Sequence, residues 1–254
     1  MSAHRFEDER FLRGKGRYVA DINRENQLYA KIVRSIHGHA KIINIDISDA
    51  LTVDGVCGIY VEDDLAKDGV GPLPCTTKFV AEQPLVVAER YALARDKVRY
   101  VGDPVALVLA ETEMAAQEAA ELVLVDYEAL PVLVSPVNSM QDGSPLIWSN
   151  APKNIAYRFK KGEKESTAAA FDGAAHVVEL DIENNRVMAL PIEPRAGIGE
   201  YDPKNDVMRL ICTAQGVHAI REQLAQSVFS MDEKKIQISA PDVGGGFGLK
   251  NFLF

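Results

Sequence analysis

Val105-Ala106-Leu107-Val108-Leu109-Ala110, then Thr112 and an alanine-rich run, then Leu122-Val123-Leu124-Val125-Asp126-Tyr127, is the stretch that decides the fold class. Six consecutive apolar residues read as a buried strand. The Thr112 hydroxyl suits a helix N-cap, and the alanines with Glu113, Glu118 and Glu121 have high helix propensity. The stretch from Leu122 returns to strand character, so the unit is strand, helix, strand. It predicts that the first region mixes β and α elements around one sheet.

Working toward the N-terminus, Leu28 to Ser35 alternates in part and predicts a strand. Lys41 to Ile47 alternates more clearly, with Ile43, Ile45 and Ile47 expected on one face. Ser48 suits the N-cap of a short helix through Leu51, stopped near Gly55, after which Val56 to Val61 is again a strand. Residues 64–84 are punctuated by Gly and Pro and predict a surface loop, and Arg13-Gly14-Lys15-Gly16-Arg17 predicts a basic entry loop.

Toward the C-terminus, Pro131, Pro136, Gly143, Pro145 and Pro152 predict a connector. Lys160 to Glu165 reads as a solvated turn, and Ala175 to Ile182 as an alternating strand. Arg195 to Tyr201 and Val207 to Thr213 flank Asp202-Pro203-Lys204-Asn205-Asp206 as a hairpin. Ile220, Leu224 and Val228 lie one turn apart in a helix over 217–229, and Ile236 to Ala240 is a strand leading into Gly244-Gly245-Gly246-Phe247-Gly248.

Over 254 residues, 47% hydrophobic and 26% charged, there is enough apolar material for packed cores. A net charge of −9 works against general affinity for nucleic acid or anionic membrane. No stretch approaches the roughly 20 apolar residues of a spanning helix, and the first residues lack the apolar core of a secretory signal, so the cytoplasm is the expected location. Cys57, Cys75 and Cys212 are too dispersed for a disulfide framework or an iron-sulfur nest, which places any such cluster on another polypeptide.

The glycine run lets backbone N–H groups approach a ligand that side chains would exclude, although glycine clusters also serve tight turns. A helix starting at Leu249 would add its N-terminal N–H groups to an anion site, and Lys250 its charge. The run is neither a Walker loop nor a GxGxxG fingerprint. The Gln215 amide, between hairpin and helix, can donate and accept hydrogen bonds to a ligand or to backbone and water. Glu193 and Arg195 stand between or beside prolines, as a ligand-facing edge or a bend with a solvated ion pair. His37-Gly38-His39 lacks a third metal ligand at suitable spacing and reads as a loop or hydrogen-bonding pair. No Gly-x-Ser-x-Gly elbow supports nucleophilic catalysis.

Three ordered groups of motifs carry a family resemblance. Arg10 to Ile22, with Val33-Arg34-Ser35 and His39-Ala40-Lys41-Ile42, resembles the opening of the large subunits of the xanthine dehydrogenase, aldehyde oxidase and carbon monoxide dehydrogenase family. Val101 to Ala106, the alanine-rich helix and Val125 to Pro131 resemble the rest of that family's α/β hammerhead domain. Pro191 to Arg195, Gln215 and Asp242 to Lys250 resemble the first part of its molybdopterin-binding domain.

The resemblance implies an α+β fold: a hammerhead domain at 1–135, a connector at 136–154, and an incomplete molybdopterin-binding α+β domain at 155–254. It implies a molybdenum-molybdopterin cofactor, with or without a cytosine nucleotide, and hydroxylation of aldehydes or N-heterocycles, or oxidation of carbon monoxide, with water-derived oxygen. Gln215 then matches the glutamine that hydrogen-bonds an oxygen ligand on molybdenum, with no direct protein ligand to the metal. Gly245, Gly246, Phe247 and Gly248 match the cofactor-facing loop, and Asn251 a position that lines the substrate pocket.

Iron-sulfur and FAD subunits, and the remainder of the molybdopterin subunit, are the implied partners. Family members are several times longer, and their general-base glutamate falls beyond Phe254. The isolated chain is therefore expected to be inactive, whether it is a natural split subunit or a shortened gene product. Asn251 to Phe254 reads as the first turn of a helix. An assembly module with a vestigial glycine loop is the rival expectation. A nucleotide-binding domain has little support, because no acidic ribose-binding residue can follow.

Overall fold

The computed structural model describes residues 5–76 and 85–253. Its strands are β1 (Tyr29–Arg34), β2 (Ala40–Asp46), β3 (Val56–Val61), β4 (Lys97–Val98), β5 (Pro104–Ala110), β6 (Leu124–Ala129), β7 (Gly197–Asp202), β8 (Val207–Cys212) and β9 (Ile236–Ser239). Its helices are α1 (Asp8–Leu12), α2 (Glu62–Lys67), α3 (Glu113–Leu122), α4 (Pro136–Ser139), α5 (Lys164–Asp172) and α6 (Val217–Gln223), with 3-10 turns between them. The fold is α+β, as expected.

The strand-helix-strand unit forms, and the Ala115 N–H donates to the Thr112 hydroxyl at 3.1 Å as the N-cap. It does not close around one sheet. β5 is flanked on both edges by antiparallel partners in the order β1-β5-β3. With neither edge free, β6 crosses to a second antiparallel sheet ordered β4-β2-β6. Ala106 and Val108 of β5 pack with Ala50, Ile59 and Ala119 under α3, while Val105 packs with Ala40 and Val98. Ile45 and Val125 of the second sheet touch both clusters and join the two sheets into one core.

β2 corrects a second expectation. The register slips between Ile42 and Asn44, so Ile43 is a bulge residue, 60% exposed, while Ile42 and Ile45 reach the core. Ser48 is not a cap: a 3-10 turn at Ala50–Thr52 follows Asp49, and no side chain caps it. The 64–84 loop is corrected at its start, where α2 runs to Lys67. Three acidic residues in its first turn complement the helix N-terminus, and the Asp64 carboxylate accepts from the Val61 N–H at 3.1 Å. Residues 77–84 of that loop lie outside the described residues.

In the second half, β7 and β8 form the expected antiparallel hairpin, and β8 and β9 pair in parallel, joined through α6. Cys212, Ala214 and Ile220 are the buried centre, with Leu210, Leu224 and Ile238 packed around them. The helix over 217–229 forms as α6 followed by a π-turn at Leu224–Val228. The turn expected at 160–165 gives way to α5 from Lys164, with the Ser166 and Thr167 hydroxyls donating to the Glu163 carbonyl.

The strand expected at 175–182 does not form. Val178, Leu180 and Ile182 are 75–90% exposed, and a strand without a neighbour cannot satisfy its ladder. At the other end of this half, Leu249–Asn251 makes a single 3-10 turn and Phe252 is extended, so among the described residues no helix runs on from Leu249; Phe254 of the turn expected there lies outside them. The turn is too tight and short to present a helix N-terminus.

Candidate functional site

The sheet β7-β8-β9 brings three loops to one end. β8 and β9 run parallel and β7 antiparallel to them, so the chain entering β7 and the chains leaving β8 and β9 share an edge. These three segments carry Glu193, Gln215 and the glycine run.

Gln215 is held at both ends. Its N–H donates to the Lys250 carbonyl at 2.9 Å. Its Oε1 accepts from the Gly248 N–H at 3.0 Å and the Lys250 N–H at 3.2 Å. With the oxygen committed to backbone donors, the amide NH2 is fixed as the free end and can only donate. The Gln215 side chain lies directly over Gly246, where a Cβ would fall well under 3.0 Å from its Cγ, Cδ and Oε1. Glycine is required there by contact.

Gly245 and Gly248 have φ of 94° and 86°, and Phe247, which is not glycine, has φ of 49° and is 76% exposed. A bulky residue in the left-handed region costs roughly 1–3 kcal/mol. Among the described residues the N–H groups of Gly245, Gly246 and Phe247 have no hydrogen-bond partner, whereas Gly244 donates to Glu193 and Gly248 to Gln215. Left-handed residues interspersed in a loop turn successive N–H groups into an anion-binding concavity. Three consecutive free donors, an oriented amide and a glycine floor fit a bulky anionic group.

Lys250 does not lend its charge to that surface. It is 1% exposed, and its Nζ donates to the Glu193 carbonyl and to Glu193 Oε2, each at 2.9 Å. Glu193 therefore pairs with Lys250, and Arg195 instead donates to the Phe252 carbonyl at 3.1 Å. Asn251 sits exposed in the 3-10 turn after Lys250. His39 is buried with Nδ1 at 2.9 Å from the Pro131 carbonyl, a hydrogen-bonding role, and His37 tilts against Tyr127. No cluster of metal-ligating side chains occurs among the described residues. A cavity of about 420 Å³ lies between Arg90, Tyr91, Arg99 and Trp148, apart from the glycine run, and Arg99 fills part of its wall by stacking on Trp148.

One contact of the site has no sequence signal. The Arg10 guanidinium binds both oxygens of Asp242, and the Asp242 carboxylate also accepts from the Arg17 N–H at 2.7 Å. The Arg17 carbonyl in turn accepts from the Asp242 N–H at 3.0 Å, so the basic entry loop clasps the chain just before Gly244. Arg10, then the Arg17 N–H, hold the Asp242 carboxyl at about 2, below the usual carboxylate range. A folded value below the unfolded one means that the clasp contributes above about pH 4 and is lost as pH falls toward 2. Carbon-13 NMR titration of Asp242 should show this low midpoint and an upward move in Arg10→Met; an unmoved midpoint would remove Arg10 as its cause.

The fold and the loop define an α+β protein with a backbone-lined site for a bulky anion, and comparison with known proteins gives its family. A family model for the aldehyde oxidase and xanthine dehydrogenase a/b hammerhead domain matches residues 13–131, and one for the molybdopterin cofactor-binding domain matches residues 147–254. The nicotine 6-hydroxylase large subunit of Paenarthrobacter nicotinovorans is 36% identical over 98% of this chain and 30% of its own length. The carbon monoxide dehydrogenase large chain of Afipia carboxidovorans is 35% identical over 97% of this chain and 31% of its own.

Among solved structures, a Cu,Mo-CO dehydrogenase superposes with a TM-score of 0.86 at 33% identity, over 99% of this chain and 32% of that one. Quinoline 2-oxidoreductase from Pseudomonas putida 86 gives 0.86 at 30% identity, over 98% and 31%. The chain belongs to the molybdenum hydroxylase large-subunit family, and it spans about a third of the length of these relatives.

Proposed function

We propose that the chain supplies the hammerhead domain and one wall of the cofactor site of a molybdenum hydroxylase, with domains at 1–135 and 155–254 joined by 136–154. The observation that carries this reading is Gln215, whose oxygen is spent on Gly248 and Lys250 so that its NH2 alone is left to donate. Gly245, Gly246 and Phe247 offer backbone N–H groups to the anionic pterin, Gly248 shapes the loop through its left-handed backbone, and Asn251 faces substrate. When bound, the molybdenum-pterin group supplies the two-electron oxidation that inserts water-derived oxygen into an aldehyde or N-heterocycle, or oxidises carbon monoxide. The Gln215 NH2 donates to an oxygen on that group and holds it in one orientation.

The remainder of the molybdopterin subunit is the first partner, and residues 175–192 are where it adds. Val178, Leu180 and Ile182, then Met188, Leu190 and Ile192, are each 72–100% exposed along a chain whose pattern is that of paired strands. We place the iron-sulfur clusters and FAD on further chains; Cys57, Cys75 and Cys212 are separate free thiols and form no cluster nest here. No helix among the described residues is long and apolar enough to cross a membrane, and we place the complex in the cytoplasm. Acid release of a cytosine nucleotide would identify the dinucleotide form of the cofactor.

The test is reconstitution of the chain with a complementing large-subunit segment and the pterin cofactor. Turnover should require both polypeptides, and Gln215→Ala should lower kcat on the order of 10²-fold with KM nearly unchanged. Full turnover by Gln215→Ala would sink the reading.

A further inference from the structure

We infer that Lys250 and Glu193 are positioning residues, whose buried pair sets the direction of the Gln215 amide; this rests on the reading of Gln215 as a cofactor-facing donor. Lys250 is the largest fully buried side chain of the described residues. A buried ammonium is tolerated only when its hydrogen bonds are met, and here Glu193 meets two of them, through its carbonyl and through Oε2. Oε2 also accepts from the Gly244 N–H at 2.7 Å. The side chain of Lys250 thus pins the start of the glycine run through Glu193. Its backbone pins Gln215, accepting from the Gln215 N–H and donating to Oε1. One residue joins the three loops that meet at the end of the sheet.

A role in folding alone would not call for this arrangement. Buried ion pairs are often replaceable by apolar residues of similar volume without loss of stability. The pair is also not optimised as a pair, because Glu193 directs both contacts through Oε2 and leaves Oε1 buried without a partner. What the geometry does accomplish is registration. Gly244, Gly248 and Gln215 are tied to a common point, and Gly246 gives the amide the space it lies in.

The experiment uses the 254-residue chain, read by amide hydrogen exchange, the nitrogen-15 resonance of the Gln215 side chain, and thermal melting. Lys250→Met should raise exchange at Gly244 and Gly248 by on the order of 10-fold and displace the Gln215 resonance. Glu193→Gln keeps an oxygen acceptor for both donors and should stay within about 3-fold of the parent. The double variant Glu193→Met with Lys250→Met should regain the melting temperature while exchange and the Gln215 resonance remain displaced.

A double variant that restores all three readouts would overturn the proposal, as would a single Lys250→Met that melts lower with Gln215 unmoved. Should Lys250→Met fail to fold, the double variant decides alone. Because these readouts need no cofactor, they separate failure of the clamp from failure of the Gln215 reading, which shows only in the turnover of Gln215→Ala.

Discussion

Alanine at position 246 is expected to dislodge Gln215 and to lower turnover of the reconstituted enzyme more than it lowers stability. The added Cβ would lie well under 3.0 Å from three atoms of the Gln215 side chain. Such a clash is cheap when the neighbour is a free, flexible end. Gln215 is not free, since Oε1 accepts from the Gly248 and Lys250 N–H groups. Moving it forfeits both bonds, at about 0.5–1.5 kcal/mol each. The expected loss is therefore about 1–3 kcal/mol in denaturant unfolding. A misplaced donor costs on the order of 10²-fold in kcat on the proposed role of Gln215.

Gly248→Ala is the control: its φ is 86° but nothing stands within 4 Å of an added Cβ, so only the backbone penalty of roughly 1–2 kcal/mol applies. Equal effects of the two substitutions on turnover, or an unmoved Gln215 resonance in Gly246→Ala, would refute the steric account.

The strands that were legible from sequence are those whose partners are also in the chain. β3 and β5 carry unbroken apolar runs, and the β7-β8 hairpin is bounded by an Asp-Pro turn, so local pattern and pairing agree. Residues 175–182 alternate as a strand would but pair with no described strand, and they remain without regular structure and exposed. Hydrophobic period reports what a segment can bury; hydrogen-bond closure decides whether it is a strand. The bulge at Ile43 escaped because one inserted residue shifts the apolar set between faces, which only the register with β6 reveals. The two-sheet arrangement escaped for a similar reason, since nothing local tells β6 that both edges of β5 are taken.

Within the site, Gln215 and the glycine run stood out by residue type and by family resemblance, and the structure brings them into contact. The groups that hold them could not be read. Glu193 has Arg195 two residues away and pairs instead with Lys250, 57 residues distant. Arg10 and Asp242 are separated by 232 residues. Charge pairing over such distances is a property of the fold, because many carboxylates and cations are available and sequence spacing favours none of them.

Alanine at Gly71 is the other substitution from which a large effect is expected, at the contact between the two halves of the molecule. The Gly71 N–H donates to the Val228 carbonyl at 2.6 Å, and an added Cβ would lie well under 3.0 Å from the Ser227 carbonyl oxygen. Both neighbours are backbone of the π-turn Leu224–Val228, whose Ala225 and Val228 are buried, so neither can yield as a side-chain end would. Relief requires the 70–71 segment to withdraw. Overpacking of this kind costs about 1–3 kcal/mol, and withdrawal adds the lost hydrogen bond at about 0.5–1.5 kcal/mol.

Gly69→Ala, with φ of 74° and nothing within 4 Å of the new Cβ, should show only the backbone penalty of roughly 1–2 kcal/mol. Calorimetry and hydrogen exchange should then find the second half of Gly71→Ala opening at a lower free energy than the sheets β1-β5-β3 and β4-β2-β6, because the lost contact is one that holds the halves together. The Arg10–Asp242 clasp shares no residue with this contact, so its removal should add to the effect of Gly71→Ala nearly independently. A loss no greater than that of Gly69→Ala, with the two halves still melting together, would show that the 70–71 segment merely touches the π-turn and does not hold it.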